Sequence, residues 1–124
     1  MARSSYLQLM QYVTGALLVL LVSWHLATRI PWLRGMESFV ETILPEVVYR
    51  EIESFGLLLL LLAYTSLLHG VNGLRIILLE IHHGEIWDRL VNLSAVIVFI
   101  VFAAIATHSV LGVEPPTIEG LISG

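Results

Sequence analysis

Three long apolar stretches, separated by short polar ones, organise the chain. Between Arg3 and Arg29 there are 25 residues without Asp, Glu, Lys or Arg, between Glu53 and Arg75 there are 21, and between Arg89 and Glu114 there are 24. Crossing a hydrocarbon core of about 30 Å takes about 20 apolar residues of helix at 1.5 Å per residue. The pattern therefore predicts an all-α integral membrane protein with three transmembrane helices over roughly 7–30, 53–80 and 90–112, in one membrane domain spanning 1–124. The first run opens with the polar "SSYLQLMQYVTG" and shows no small-x-small cleavage site after a short apolar stretch. It is expected to be a helix of the mature protein and not a signal peptide. Three spans in this length leave no room for a soluble catalytic domain, so soluble chemistry is expected on a partner.

The first loop, "PWLRGMESFVETILPEVVYREIES", spaces Phe39, Val40, Ile43 and Leu44 among glutamates. That spacing predicts a short amphipathic helix over 36–44, lying on the membrane surface. Pro45 is expected either to end this segment or to start the next helix. The C-terminal "VEPPTIEGLISG" reads as a proline-stiffened tail. No internal repeat and no low-complexity segment is present.

Composition agrees with the pattern: the chain is 57% hydrophobic and 13% charged, with a mean hydropathy of +0.89, where soluble domains average about 25% charged. The absence of cysteine excludes disulfides, thiolate zinc sites and iron-sulfur clusters held by this chain alone. A net charge of −4, spread over short acidic loops, suggests no nucleic-acid partner. Arg3, Arg75 and Arg89 fall on one side of the membrane and Arg29, Arg34 and Arg50 on the other, so the positive-inside count is a tie.

Five histidines carry the candidate chemistry: His25, His69, His82, His83 and His108. His82 and His83 sit in the second loop, "EIHHGEIWDR", as wet-loop residues, proton-entry groups near a cofactor, or partner contacts. The other three lie within apolar spans, where an ionisable group is a functional hypothesis with a partner to be found. A helix-helix hydrogen bond is the alternative for each. At 100° per residue, Gly73, Ile76 and Glu80 fall within about 40° of His69. A haem held edge-on between helices needs an imidazole for its iron and, about a turn away, a residue too small to collide with the macrocycle. Gly73 meets that need, and equally suits close helix packing. Arg75 lies near the helix end, where a guanidinium can reach lipid phosphates or haem propionates.

Depth separates the histidines. Taking Glu80 as the membrane surface puts His69 about 16 Å in, whereas His25 counted from Leu7 and His108 counted from Leu90 lie about 27 Å deep. His25 and His69 are not level, so they suit two haems stacked across the membrane better than one shared iron. Gln11, Thr14, Leu18 and Leu21 share the His25 stripe. His108, with Ala104 one turn before it, is placed either as a second ligand of a far-side haem or as a propionate contact.

The stretch "HGVNGLRIILLE" resembles the His-x-x-x-Gly-x-Arg-x-x-x-x-Asp motif of the cytochrome b membrane-anchor subunits of succinate dehydrogenase and fumarate reductase. The matching residues are His69, Gly73, Arg75 and Glu80, the last replacing the aspartate. The resemblance implies half of a haem-binding helix bundle within a four-subunit complex, beside a second membrane anchor, an iron-sulfur subunit and a flavoprotein. His69 then looks like an axial ligand of haem b. The family places the N-terminus on the iron-sulfur side, which implies the cytoplasmic face of a prokaryotic membrane.

Two departures are informative. The first-helix pattern Ser-x-x-His-Arg-x-Ser/Thr-Gly of many single-haem anchors keeps only Thr14 and Gly15 in "QLMQYVTG", with Gln8 and Tyr12 at the quinone-binding positions. His25 resembles the first-helix histidine of two-haem members. The expectation is one anchor of a two-haem complex, with His69 and His25 as iron ligands and Gly73, Arg75 and His108 around the haems. Gln8, Tyr12 and Glu80 are the quinone candidates, with menaquinone suiting the two-haem type by analogy. No enzyme activity is expected of the chain alone. The rivals are a haem-free structural anchor, a haem b subunit of another respiratory dehydrogenase, and a small transporter subunit.

Overall fold

A computed structural model of the protein describes residues 2–115, with side chains from Ser5 onward. Residues 116–124, most of the tail read from the sequence, lie outside the described residues. In chain order the elements are helix α1 (Ala2–Ala27), a 3-10 turn (Pro31–Arg34), the single-turn α2 (Phe39–Thr42), α3 (Pro45–Ile81) and α4 (Glu85–Leu111). No strand occurs among the described residues. The segments Ser5–Ala27, Pro45–Ile81 and Glu85–Leu111 are each long and apolar enough to cross a membrane. Helix α3 is central and packs against α1 on one side and α4 on the other.

The helices outrun the charge-free stretches that predict them. Pro45 starts α3, nine residues before the charge-free run begins at Ser54, and occupies a first-turn position where its missing N–H is harmless. Glu46, Arg50, Glu51 and Glu53 end a hydrophobic run but not a helix, because the backbone keeps its own hydrogen bonds through the interfacial layer. At 1.5 Å per residue α3 is about 55 Å long against a hydrocarbon core of about 30 Å, so its first turns stand beyond that core. It kinks at Phe55 (φ −126°, ψ 23°), between Ser54 and Gly56, two residues that weaken a helix locally.

The amphipathic segment expected over 36–44 is helical only at Phe39–Thr42. Phe39, Val40, Ile43 and Leu44 point outward, whereas Thr42 is fully buried and its carbonyl accepts a hydrogen bond from Arg29 Nη1. The segment is thus a turn tied down from beneath. Gly35, at φ 68°, closes the preceding 3-10 turn in the left-handed conformation that favours glycine. A short "HHG" turn joins α3 to α4, and the Trp87 indole N–H reaches back across it to Leu78 O at 2.8 Å.

Polarity is inverted relative to a soluble domain. Among the described residues the buried apolar ones are Leu21, Leu60 and Val91, and the buried polar ones are Thr14, Thr42, Glu51, Thr65 and Asn72. Long apolar side chains cover the outside, which is the arrangement expected where lipid is the solvent and helices meet through small and polar groups.

Candidate functional site

His69 sits on the face of α3 that meets α1, and α1 contacts it from two successive positions. Thr14 Oγ1 lies 3.1 Å from His69 Nδ1. A Cβ built on the next residue, Gly15, would stand 3.2 Å from His69 Cε1, so glycine there admits the imidazole. The "TG" dipeptide thus supplies a hydroxyl and an absence of side chain side by side.

One turn further along, Gln11 and Asn72 cross-link the same pair of helices. Gln11 Nε2 donates to His69 O at 3.2 Å, while Asn72 Nδ2 donates to Gln11 Oε1 at 2.9 Å and to Leu7 O at 3.3 Å. Asn72 is buried, so its amide needs these partners. Gly73 explains how Gln11 gets in: a Cβ there would come within 2.8 Å of Gln11 Nε2. A helical side chain leans back toward the preceding turn. Its absence at Gly73 therefore opens the His69 carbonyl, one turn earlier, to a second donor.

On the opposite side of α3, Arg75 Nε donates to Asn92 Oδ1 of α4. A groove of about 270 Å³ runs here between the helices, its lining including Met10, Asn72, Arg75, Asn92 and Phe99. Tyr64 OH and Thr107 Oγ1 also join α3 to α4. Because Thr107 Oγ1 gives its own proton to Ala103 O at 2.8 Å, the tyrosine is the donor.

His25 lies at the other end of the α1–α3 contact. The stretch of α1 from Thr14 to His25 is about 16 Å long at 1.5 Å per residue, so His25 and His69 occupy different levels. His25 Nδ1 is 3.9 Å from Oε1 of Glu51, a buried carboxylate that no apolar-run count would place in the bundle. Thr28 Oγ1 donates to Glu51 Oε1 at 3.1 Å, and Glu51 Oε2 is in ion contact with Arg29 at 3.0 Å and Arg34 at 3.6 Å. Apart from His25, no member of this cluster is among the sequence-level candidates. The one signal for it was Pro45, whose placement at the first turn carries the helix through Glu51.

The remaining candidates do not join these contacts. Gln8, Tyr12, Glu80 and His108 are exposed on the outer faces of their helices. His82 stacks edge-on against Trp87 in the second loop, and His83 is exposed beside it.

Fold and site together define an all-α integral membrane subunit whose inward polar stripe is organised around one intramembrane histidine. The sequence model of the succinate dehydrogenase/fumarate reductase transmembrane subunit family matches residues 3–111. That is most of the chain, and the protein belongs to this family. Comparisons with curated proteins and with solved structures returned no match.

Proposed function

We propose that this chain is the haem b-binding membrane anchor of a succinate:quinone oxidoreductase, carrying electrons between an iron-sulfur subunit and membrane quinone. The observation that carries the reading is His69 itself. Its Nδ1 is engaged by Thr14, Gly15 leaves room for its ring, and its Nε2 makes no hydrogen bond among the described residues. A neutral imidazole with one nitrogen satisfied and the other free is the donor an iron ligand requires.

Haem, when bound, supplies the one-electron redox chemistry. His69 Nε2 would help hold the haem iron, together with a residue from a second three-helix anchor. The chain's own residues orient and insulate: Thr14 holds the ring, and the Gln11–Asn72 pair fixes α3 against α1. Arg75, anchored through Nε on Asn92, keeps further guanidinium donors for carboxylate groups. His25 would serve a second haem, with the Glu51 carboxylate 3.9 Å from its Nδ1. Gln8, Tyr12 and Glu80, on outer faces, would meet quinone, menaquinone in a two-haem complex, only where a partner chain covers them. His108 would stand near the far-side haem. The assembly includes the second anchor, the iron-sulfur subunit and the flavoprotein, in a prokaryotic cytoplasmic membrane with the N-terminus on the cytoplasmic side.

A reduced-minus-oxidised spectrum with haem quantitation on the purified complex tests this. Two haem b per complex are expected, one lost or turned high-spin in His69→Ala and the other in His25→Ala. A single haem indifferent to His25→Ala overturns the two-haem form. Finding no haem leaves the membrane anchor alone.

A further inference from the structure

The Thr14 hydroxyl decides which nitrogen of His69 carries the proton. Thr14 Oγ1 lies 2.7 Å from Met10 O, 3.2 Å from Gln11 O and 3.1 Å from His69 Nδ1. The two carbonyls can only accept, and a hydroxyl has a single proton. Given to Met10 O, its nearest acceptor, that proton leaves the oxygen lone pairs facing the imidazole, and His69 Nδ1 must be the donor.

The opposite tautomer fails on both sides of the ring. Thr14 would have to turn its proton from Met10 O to Nδ1, and the N–H at Nε2 would find no acceptor among the described residues. Thr14 is 6% exposed and within a membrane span, where an unpaired polar group costs far more than in water. Gly15 helps hold the register, since a Cβ at that position would stand tight against His69 Cε1 at 3.2 Å.

We infer that Thr14 is a positioning residue that holds His69 as the Nδ1–H tautomer and turns its Nε2 lone pair outward as a metal donor. The functional consequence rests on the haem reading; the tautomer does not. A ligating imidazole whose N–H is donated to an oxygen is a more basic ligand and favours the ferric state. Removing the acceptor therefore raises the reduction potential of the haem that His69 ligates.

The test uses the purified complex with Thr14→Val, which keeps shape without the hydroxyl, and Thr14→Ser, which restores it. Nitrogen-15 NMR of labelled histidine, with His69→Gln identifying the signal, is expected to show a protonated Nδ1 and an unprotonated Nε2 in the native complex. The Nδ1 signal should lose its hydrogen-bond shift in Thr14→Val and recover it in Thr14→Ser. In potentiometric titration, Thr14→Val should keep its haem and raise the reduced-to-oxidised ratio at fixed poise by up to about tenfold, the scale of one ordinary hydrogen bond, with Thr14→Ser near native. A protonated Nε2 in the native complex overturns the inference, with or without haem. So does a haem in Thr14→Val whose potential and Nδ1 shift match the native ones. A complex without haem refutes the haem reading, and the NMR result still decides the role of Thr14.

Discussion

The α1–α3 contact has two polar centres of opposite character. Around His69 every partner is neutral: a threonine hydroxyl, a glutamine and an asparagine amide, and backbone carbonyls. Around Glu51 charge dominates: two guanidinium groups face one buried carboxylate, with the Thr28 hydroxyl and His25 beside it. Depth accounts for the difference. A charged side chain at the centre of a spanning helix costs about 2.5–3.5 kcal/mol on insertion scales, whereas amides and hydroxyls bonded to one another cost much less. The ion pairs of the α1–α3 contact are accordingly gathered where α1 ends and α3 begins, beside the connecting loop. Helix orientation in mid-span is left to neutral hydrogen bonds, and the attachment of the loop to charge.

This contrast predicts unequal mutational costs. Removing the Glu51 carboxylate leaves Arg29 and Arg34 without their shared anion, so Glu51→Ala should destabilise the folded anchor by about 3–5 kcal/mol. Thermal unfolding of the purified complex reads this directly. A loss below about 1 kcal/mol would show the cluster to be a solvated surface pair and erase the distinction. A smaller effect is expected at the neutral centre: Asn72→Leu, which keeps the branching at Cγ and removes the bonds to Gln11 and Leu7, should cost about 1–2 kcal/mol. If it costs as much as Glu51→Ala, charge is not what separates the two ends.

The least costly change sharpens the local geometry. Gly73→Ala should destabilise by about 1 kcal/mol, because its Cβ would displace the Gln11 amide from the His69 carbonyl. Since the atom displaced is the end of a flexible side chain, Gln11→Ala should absorb most of that penalty. A double-mutant cycle would then show coupling of about 0.5 kcal/mol or more. Strict additivity would mean that Gly73 is small for a neighbour other than Gln11.

Much of the architecture was legible from the chain because its signal is one-dimensional. Apolar runs of spanning length mark the three helices, and His69, Gly73, Arg75 and Glu80 mark the family that residues 3–111 match. Boundaries were less legible: Glu46 to Glu53 end a hydrophobic run, yet α3 continues through them from Pro45. Glu51 was hidden for the same reason, since a charge outside an apolar run looks like loop. Gly73 was visible as a clearance position, but its neighbour among the described residues, Gln11, comes from another helix. Asn72 showed no role of its own in the sequence, and its buried bonds to Leu7 and Gln11 depend on how the two helices are paired.

What the sequence determined by itself is the solvent this protein folds in, the number of its long helices and the histidine at the centre of its best motif. These follow from local composition and helical periodicity, which every residue carries with it. Tertiary structure alone decided that Thr14, rather than another polar group of α1, addresses His69 Nδ1, and that Glu51 gathers Arg29 and Arg34. Both depend on the rotation and register of one helix against another. Those are set by the few buried polar and small residues that interlock, and no single helix specifies where its partner's polar atoms will fall.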